Sequence, residues 1–190
     1  MNEKEALALI EEMIGKAKTN ISDNGVFYLL WGYMVFFSAC IHFLLEVYPQ
    51  PFVPPYAVWP ICMSIAGIAS YFITQKREKQ KQVKTYMEDF INNFWIAFGI
   101  SLLLSLIIAL NTYPLLAYPI ILILYGLGTF VTGKVLKFNP LIWGGVICWI
   151  LAVISAFVSF NLQLLLLASG VLCSYIIPGH ILKIRYQKSV

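Results

Sequence analysis

Six long apolar stretches recur along this chain, and none of its 13 Lys and Arg residues lies inside one. An apolar run of about 20 residues crosses the roughly 30 Å hydrocarbon core of a bilayer as an α-helix rising about 1.5 Å per residue. Lipid offers the backbone no hydrogen-bond partners, so a run of this length must satisfy its own N–H and C=O groups, as a helix does. The stretches fall at about residues 25–47, 55–74, 94–110, 115–132, 141–160 and 162–182. They predict an all-α fold, a polytopic bundle of six transmembrane helices in three hairpins over residues 24–183. The composition agrees. The chain is 60% hydrophobic and 12% charged, whereas a soluble domain carries about 25% charged residues.

The connections alternate in character. Tyr48-Pro-Gln-Pro-Phe-Val-Pro-Pro55, Asn111-Thr-Tyr-Pro114 and the turn near Asn161 carry no charge. The other side holds Lys76, Arg77, Lys79, Lys81 and Lys84 in a basic loop over residues 75–93. It also holds Lys134 and Lys137, and then Lys183, Arg185 and Lys188 at the tail, residues 184–190. The bias of Lys and Arg toward cytoplasmic loops predicts a bacterial inner membrane protein with both termini in the cytoplasm. The net charge of +4 follows from that bias and does not imply nucleic acid. The opening residues lack the continuous apolar core and small-residue cleavage site of a signal peptide.

Residues 1–23 differ from the rest. Leu7, Ile10, Ile14, Ala17 and Ile21 recur at spacings of three and four, the stripe of a cytoplasmic amphipathic helix. Its charges are slightly acidic, and Glu12 pairs with Lys16 at i,i+4 on another face. Helices that lie on anionic lipid are usually basic, so this one is expected to pack on protein. The basic loop is the complementary surface. Glu11 and Glu12 on one side, and Lys76, Arg77, Lys79, Lys81 and Lys84 on the other, form the expected partner or lipid-headgroup surface. The partners implied are membrane lipids, with a cytoplasmic protein or a second copy of the chain as the protein partner.

Ionisable groups inside a membrane are rare, and they mark candidate sites. His42 and Glu46 stand four apart in the first stretch, on one helical face near its outer end. Together they are the candidate ligand-binding residues. His180 follows Ile176-Ile-Pro-Gly179 near the inner end of the last stretch, where proline frees a carbonyl and permits a kink. The two histidines fall at opposite ends of the bundle, so no shared metal site is expected. Cys40, Cys62, Cys148 and Cys173 form no CxxC pair and read as small core hydrophobes. Gly126-Leu-Gly128, Gly133 and Gly144-Gly145 are helix-contact surfaces, without the GK[ST] of a phosphate loop. No GxSxG or HExxH occurs. The expectation is a non-enzyme without cofactor.

Odd stretches open with a tryptophan, as in Trp31-Gly32, Trp95 and Trp143-Gly144. Even ones carry Gly67, Gly126 and Gly170 ahead of an aromatic residue. Interfacial aromatics and small contact residues recur in unrelated membrane proteins, which is the favoured reading over a triplicated hairpin. The stretch Glu5-Ala-Leu-Ala-Leu-Ile-Glu-Glu-Met-Ile14, with Asn24-Gly25 and Tyr28-Leu-Leu-Trp-Gly-Tyr33, resembles small uncharacterised integral membrane proteins of Bacteroides-like bacteria. The likeness covers about the first quarter of the chain and implies no activity. A looser resemblance is to the substrate-binding subunits of energy-coupling-factor vitamin transporters, which are six-span proteins with alanine patterns in the first helix. This first stretch has Ser38-Ala39 but no paired alanines. Three functions follow in order. The first is a partner-docking or regulatory membrane protein that senses an apolar ligand. The second is a transport or binding component for a small uncharged solute, with His42 and Glu46 at the mouth. The third is an intramembrane lipid-modifying enzyme.

Overall fold

The computed structural model of the chain describes residues 25–79 and 86–189. The expected leading helix, with Glu11 and Glu12, lies outside the described residues, as do Lys81 and Lys84. The helices are α1 (Val26–Val47), α2 (Val58–Glu78), α3 (Tyr86–Thr112), α4 (Ala117–Val135), α5 (Asn139–Ser155), α6 (Phe160–Val171) and α7 (Ile177–Ser189). A π-helical turn, Leu172–Ile176, joins α6 to α7, so the two form one apolar unit over Phe160–Arg185. Among the described residues there is no strand, and a lone bridge between Gln50 and Val53 closes the proline-rich loop.

This is the architecture of a multi-pass membrane protein. Five units are long and apolar enough to cross a bilayer: Val26–Val47, Pro55–Glu78, Tyr86–Thr112, Pro114–Val135 and Phe160–Arg185. The sixth, α5, is apolar but has only 17 residues, a length of about 25 Å. It stops at Ser155 rather than running to residue 160, and the turn after it falls at residues 156–159 rather than near Asn161. The reason is local. The Ser155 hydroxyl bonds back to the carbonyl of Ala152, and the side-chain amide of Gln163 donates to the carbonyl of Ser155 at 2.9 Å. Ser159 then takes an extended conformation ahead of α6. The α3 helix is already formed at Tyr86, the first residue described after the basic loop, ahead of its apolar run.

The helices are unevenly buried. α4 is the centre, with 56% of its apolar window buried, whereas the windows of α2 and α3 are each 6% buried. α1 packs on α2, α6, the π turn and α7, while α4 packs on α3, α5 and α6. Leu122, Leu141, Leu164 and Leu167 are fully buried between them. α4 and α5 approach closely through glycine. A Cβ on Gly145 would sit 2.7 Å from the Gly126 carbonyl oxygen, and one on Gly133 would sit 2.8 Å from the Ile142 nitrogen. Helices in lipid associate by van der Waals packing rather than by a hydrophobic drive, which favours such small-residue seams. The turn between them is a Schellman motif. The Phe138 N–H donates to the Gly133 carbonyl and the Lys137 N–H to the Lys134 carbonyl, with Lys137 left-handed at φ 51°.

The π turn also has a cause in the sequence. Pro178 has no N–H to give the carbonyl of Ser174, four residues back, and the widened winding falls just before it. The bulge is accommodated by two glycines. A Cβ on Gly144 of α5 would lie 2.6 Å from Ser174 Cα, and one on Gly32 of α1 would lie 2.9 Å from Tyr175 Cβ.

Candidate functional site

The two ends of the bundle differ in chemistry. At one end Arg77 lies over the ring of Phe27 at 4.8 Å, Lys134 over Phe130 at 5.5 Å and Arg185 over Phe138 at 5.1 Å. In each pair the charged head itself lies over the aromatic face, a cation–π contact. Lys76, Lys79, Lys137 and Lys183 are exposed at the same end. At the opposite end, Glu46 is the one charged side chain among the described residues.

The site at that opposite end is built around His42. His42 is 4% exposed, and α1 places it five residues before the helix ends at Val47. The 3-10 turn Pro55–Ala57 brings the chain back so that Trp59, at the start of α2, reaches across. The Trp59 indole N–H donates to His42 Nδ1 at 2.9 Å. The Tyr118 hydroxyl, from the first turn of α4, lies 3.1 Å from the same nitrogen. Phe160, which opens α6, packs its ring 5.7 Å from the imidazole and 5.3 Å from Tyr118. On the other side His42 Nε2 is 3.5 Å from Glu46 Oε1, and the Glu46 side chain is 36% exposed.

These partners fix the ring's state. An indole N–H only donates, so Nδ1 must present its lone pair. A neutral imidazole then carries its proton on Nε2, aimed at the Glu46 carboxylate. The arrangement is therefore a line of polar groups, Tyr118–His42–Glu46, that runs from the buried interior to the margin and is walled by Trp59 and Phe160. It can hold or pass a proton. It offers no metal set, and among the described residues no three His, Cys, Asp or Glu side chains converge.

His42 and Glu46 are brought together as their spacing predicts, and His180 is not near them. His180 Nε2 pairs with the Tyr33 hydroxyl at 2.9 Å on an exposed face. Trp59, Tyr118 and Phe160 belong to the site and read in the sequence as ordinary interfacial aromatics. The available signal was their position, since each stands within a few residues of a predicted outer turn. Most other buried polar side chains are tied to their own helices. Ser38, Thr129 and Thr132 bond back to carbonyls one turn earlier, and Cys148 reaches Ser174 Oγ at 3.3 Å across the π turn. Between α3 and α4 lies a shallow apolar cavity of about 140 Å³ lined by Phe94, Ala97, Phe98, Ser101, Leu124 and Leu127.

In comparisons with protein-family models, curated proteins and solved structures, nothing matches this chain.

Proposed function

We propose that this chain is a non-enzymatic, six-span protein of the bacterial inner membrane, its helices paired as three hairpins and its termini cytoplasmic. Its basic end serves as a docking and regulatory surface. The observation that carries this reading is the bracing of Arg77, Lys134 and Arg185, from three separate helix ends, over three aromatic rings. Cations held in this way form a preorganised positive face, which recognises an anionic partner with less ordering cost than free lysines would. The acidic leading segment, with Glu11 and Glu12, is the occupant nearest to hand. With it seated, the composite surface receives a cytoplasmic partner. A membrane-embedded α5 is consistent with this arrangement, because its apolar residues sit among the spanning helices.

The test is charge exchange. Glu11→Lys with Glu12→Lys should expose residues 1–23 to protease in intact inner-membrane vesicles opened to the cytoplasmic side. Adding Lys76→Glu and Lys79→Glu should restore protection. Unchanged digestion in the first variant sinks the docking reading.

A second reading rests on the His42 site. A binding component for a small uncharged solute fits a polar pair at the outer margin, and it accords with the looser resemblance to vitamin-transporter binding subunits. Native mass spectrometry of protein in mild detergent would separate the two. A retained small molecule lost in the His42→Ala, Glu46→Ala variant favours the binding component.

A further inference from the structure

We propose that His42 is a proton-operated latch that fastens α2 to the bundle. α2 is weakly seated by packing, since Ala66 is its one fully buried side chain. Two directional bonds tie it to α1. The Trp31 indole N–H of α1 donates to Ser70 Oγ of α2 at 3.0 Å near the basic end, and the Trp59 indole N–H of α2 donates to His42 Nδ1 at 2.9 Å near the other.

The second bond depends on the proton count of His42. With Nδ1 bare it accepts from Trp59. With a proton on each nitrogen, Nδ1 becomes a donor, and the Trp59 N–H, which cannot accept, faces another N–H. The two remaining neighbours tolerate the change. The Tyr118 hydroxyl is both donor and acceptor, so it can turn to receive the Nδ1 proton. The Glu46 carboxylate, 3.5 Å from Nε2, offsets the new charge. The groups set against the ring are Glu46 from α1, Trp59 from α2, Tyr118 from α4 and Phe160 from α6. Among them only Glu46 is charged, and only Trp59 loses its hydrogen bond to the ring. Acid at the outer face thus detaches the start of α2, together with the proline-rich loop before it, while the Trp31–Ser70 bond stays.

The bond at Ser70 provides an internal reference. The experiment uses the full chain, 15N-labelled, in lipid nanodiscs, with His180→Asn so that His42 is the one histidine. Indole resonances are assigned by Trp59→Phe and Trp31→Phe. Between about pH 8 and pH 5, where histidine ordinarily changes charge, the ring nitrogens of His42 should move to the imidazolium pattern. Over the same interval the Trp59 indole proton should exchange faster, by roughly tenfold relative to that of Trp31. In His42→Gln, whose amide neither gains nor loses a proton there, the ratio should stay constant. Three results overturn the latch: ring nitrogens that never reach the imidazolium pattern, a Trp59-to-Trp31 ratio that stays fixed while His42 protonates, or the same change of ratio in His42→Gln.

Discussion

Replacing Gly144 by Ala tests the seam that holds the π turn. The added Cβ would lie 2.6 Å from Ser174 Cα and 2.9 Å from the Cys173 carbonyl oxygen, and both are backbone atoms that no rotamer change can move aside. Carbon atoms in good contact sit about 3.5–4.0 Å apart, so α5 and the turn must part by about 1 Å, a gap that forfeits roughly a quarter to a half of each contact's dispersion energy. The same separation stretches the contact of Cys148 Sγ with Ser174 Oγ, now 3.3 Å, which crosses that seam. Overpacking of this kind costs about 1–3 kcal/mol, and the better helix propensity of alanine offsets up to about 1 kcal/mol, so a net loss of about 1–2 kcal/mol is expected. Gly67→Ala and Gly99→Ala are the controls. Neither position has any atom within 4 Å of a new Cβ, so each should be neutral or slightly stabilising. Reversible unfolding in mixed micelles titrated with a denaturing detergent reads the differences. A Gly144→Ala protein as stable as the Gly67→Ala control would refute the account of the seam.

Two further substitutions are expected to stabilise the bundle. Tyr175 is 4% exposed and its hydroxyl has no hydrogen-bond partner among the described residues, so Tyr175→Phe should raise stability by about 1 kcal/mol in the same unfolding assay. A measured loss would mean that the hydroxyl has a partner. Lys137 holds a left-handed conformation at φ 51° in the α4–α5 turn, and Lys137→Gly should recover about 1 kcal/mol of that strain. An unchanged unfolding midpoint would show that the turn carries no strain.

The legible part of the structure is the part written in short-range patterns. Apolar length marked the spanning helices, and the i,i+4 spacing of His42 and Glu46 put both on one face of α1, where they meet. Apolar length also misled. Ala156, Phe157 and Val158 are as apolar as a helix interior, so nothing in their composition betrays that α5 stops at Ser155. The stop is made by the Gln163 amide, eight residues away. The rest of the His42 site was hidden because its members come from four helices. Trp59 and Tyr118 stand 17 and 76 residues from His42, and only packing brings them together. The Trp-Gly pairs show a middle case. Gly32 and Gly144 do have a common role, since both give way to the π turn. Their tryptophans do not, as Trp31 bonds Ser70 while Trp143 is exposed.

The unequal attachment of α2 and α3 bears on where a signal can originate. Lipid supplies no hydrophobic drive between helices, so each peripheral helix is held only by what it touches. α3 is held by interlocked rings. Trp95 packs edge-on to Tyr28 and Tyr175, Phe98 stacks on Tyr125 at 5.8 Å, and both rings close over Gly128 of α4. Nothing in that set changes with a single proton. α2 is held to α1 by the Trp59–His42 bond at its start, by the Trp31–Ser70 bond farther along and by Arg77 over Phe27, and the first of these is conditional on the state of His42. The same helix then continues without a break to Glu78, carrying Lys76 and Arg77, about 30 Å from Trp59 at a rise of about 1.5 Å per residue. One of the two least buried helices of the bundle is therefore the one that joins the proposed latch to the proposed docking surface. A helix is stiff over that length, so a displacement at Trp59 that breaks its bond must either tilt α2 about the Trp31–Ser70 contact or bend it, and tilting moves Arg77 relative to Phe27. The coupling between the two ends then needs no chain of intermediaries, because both ends bias the position of one element.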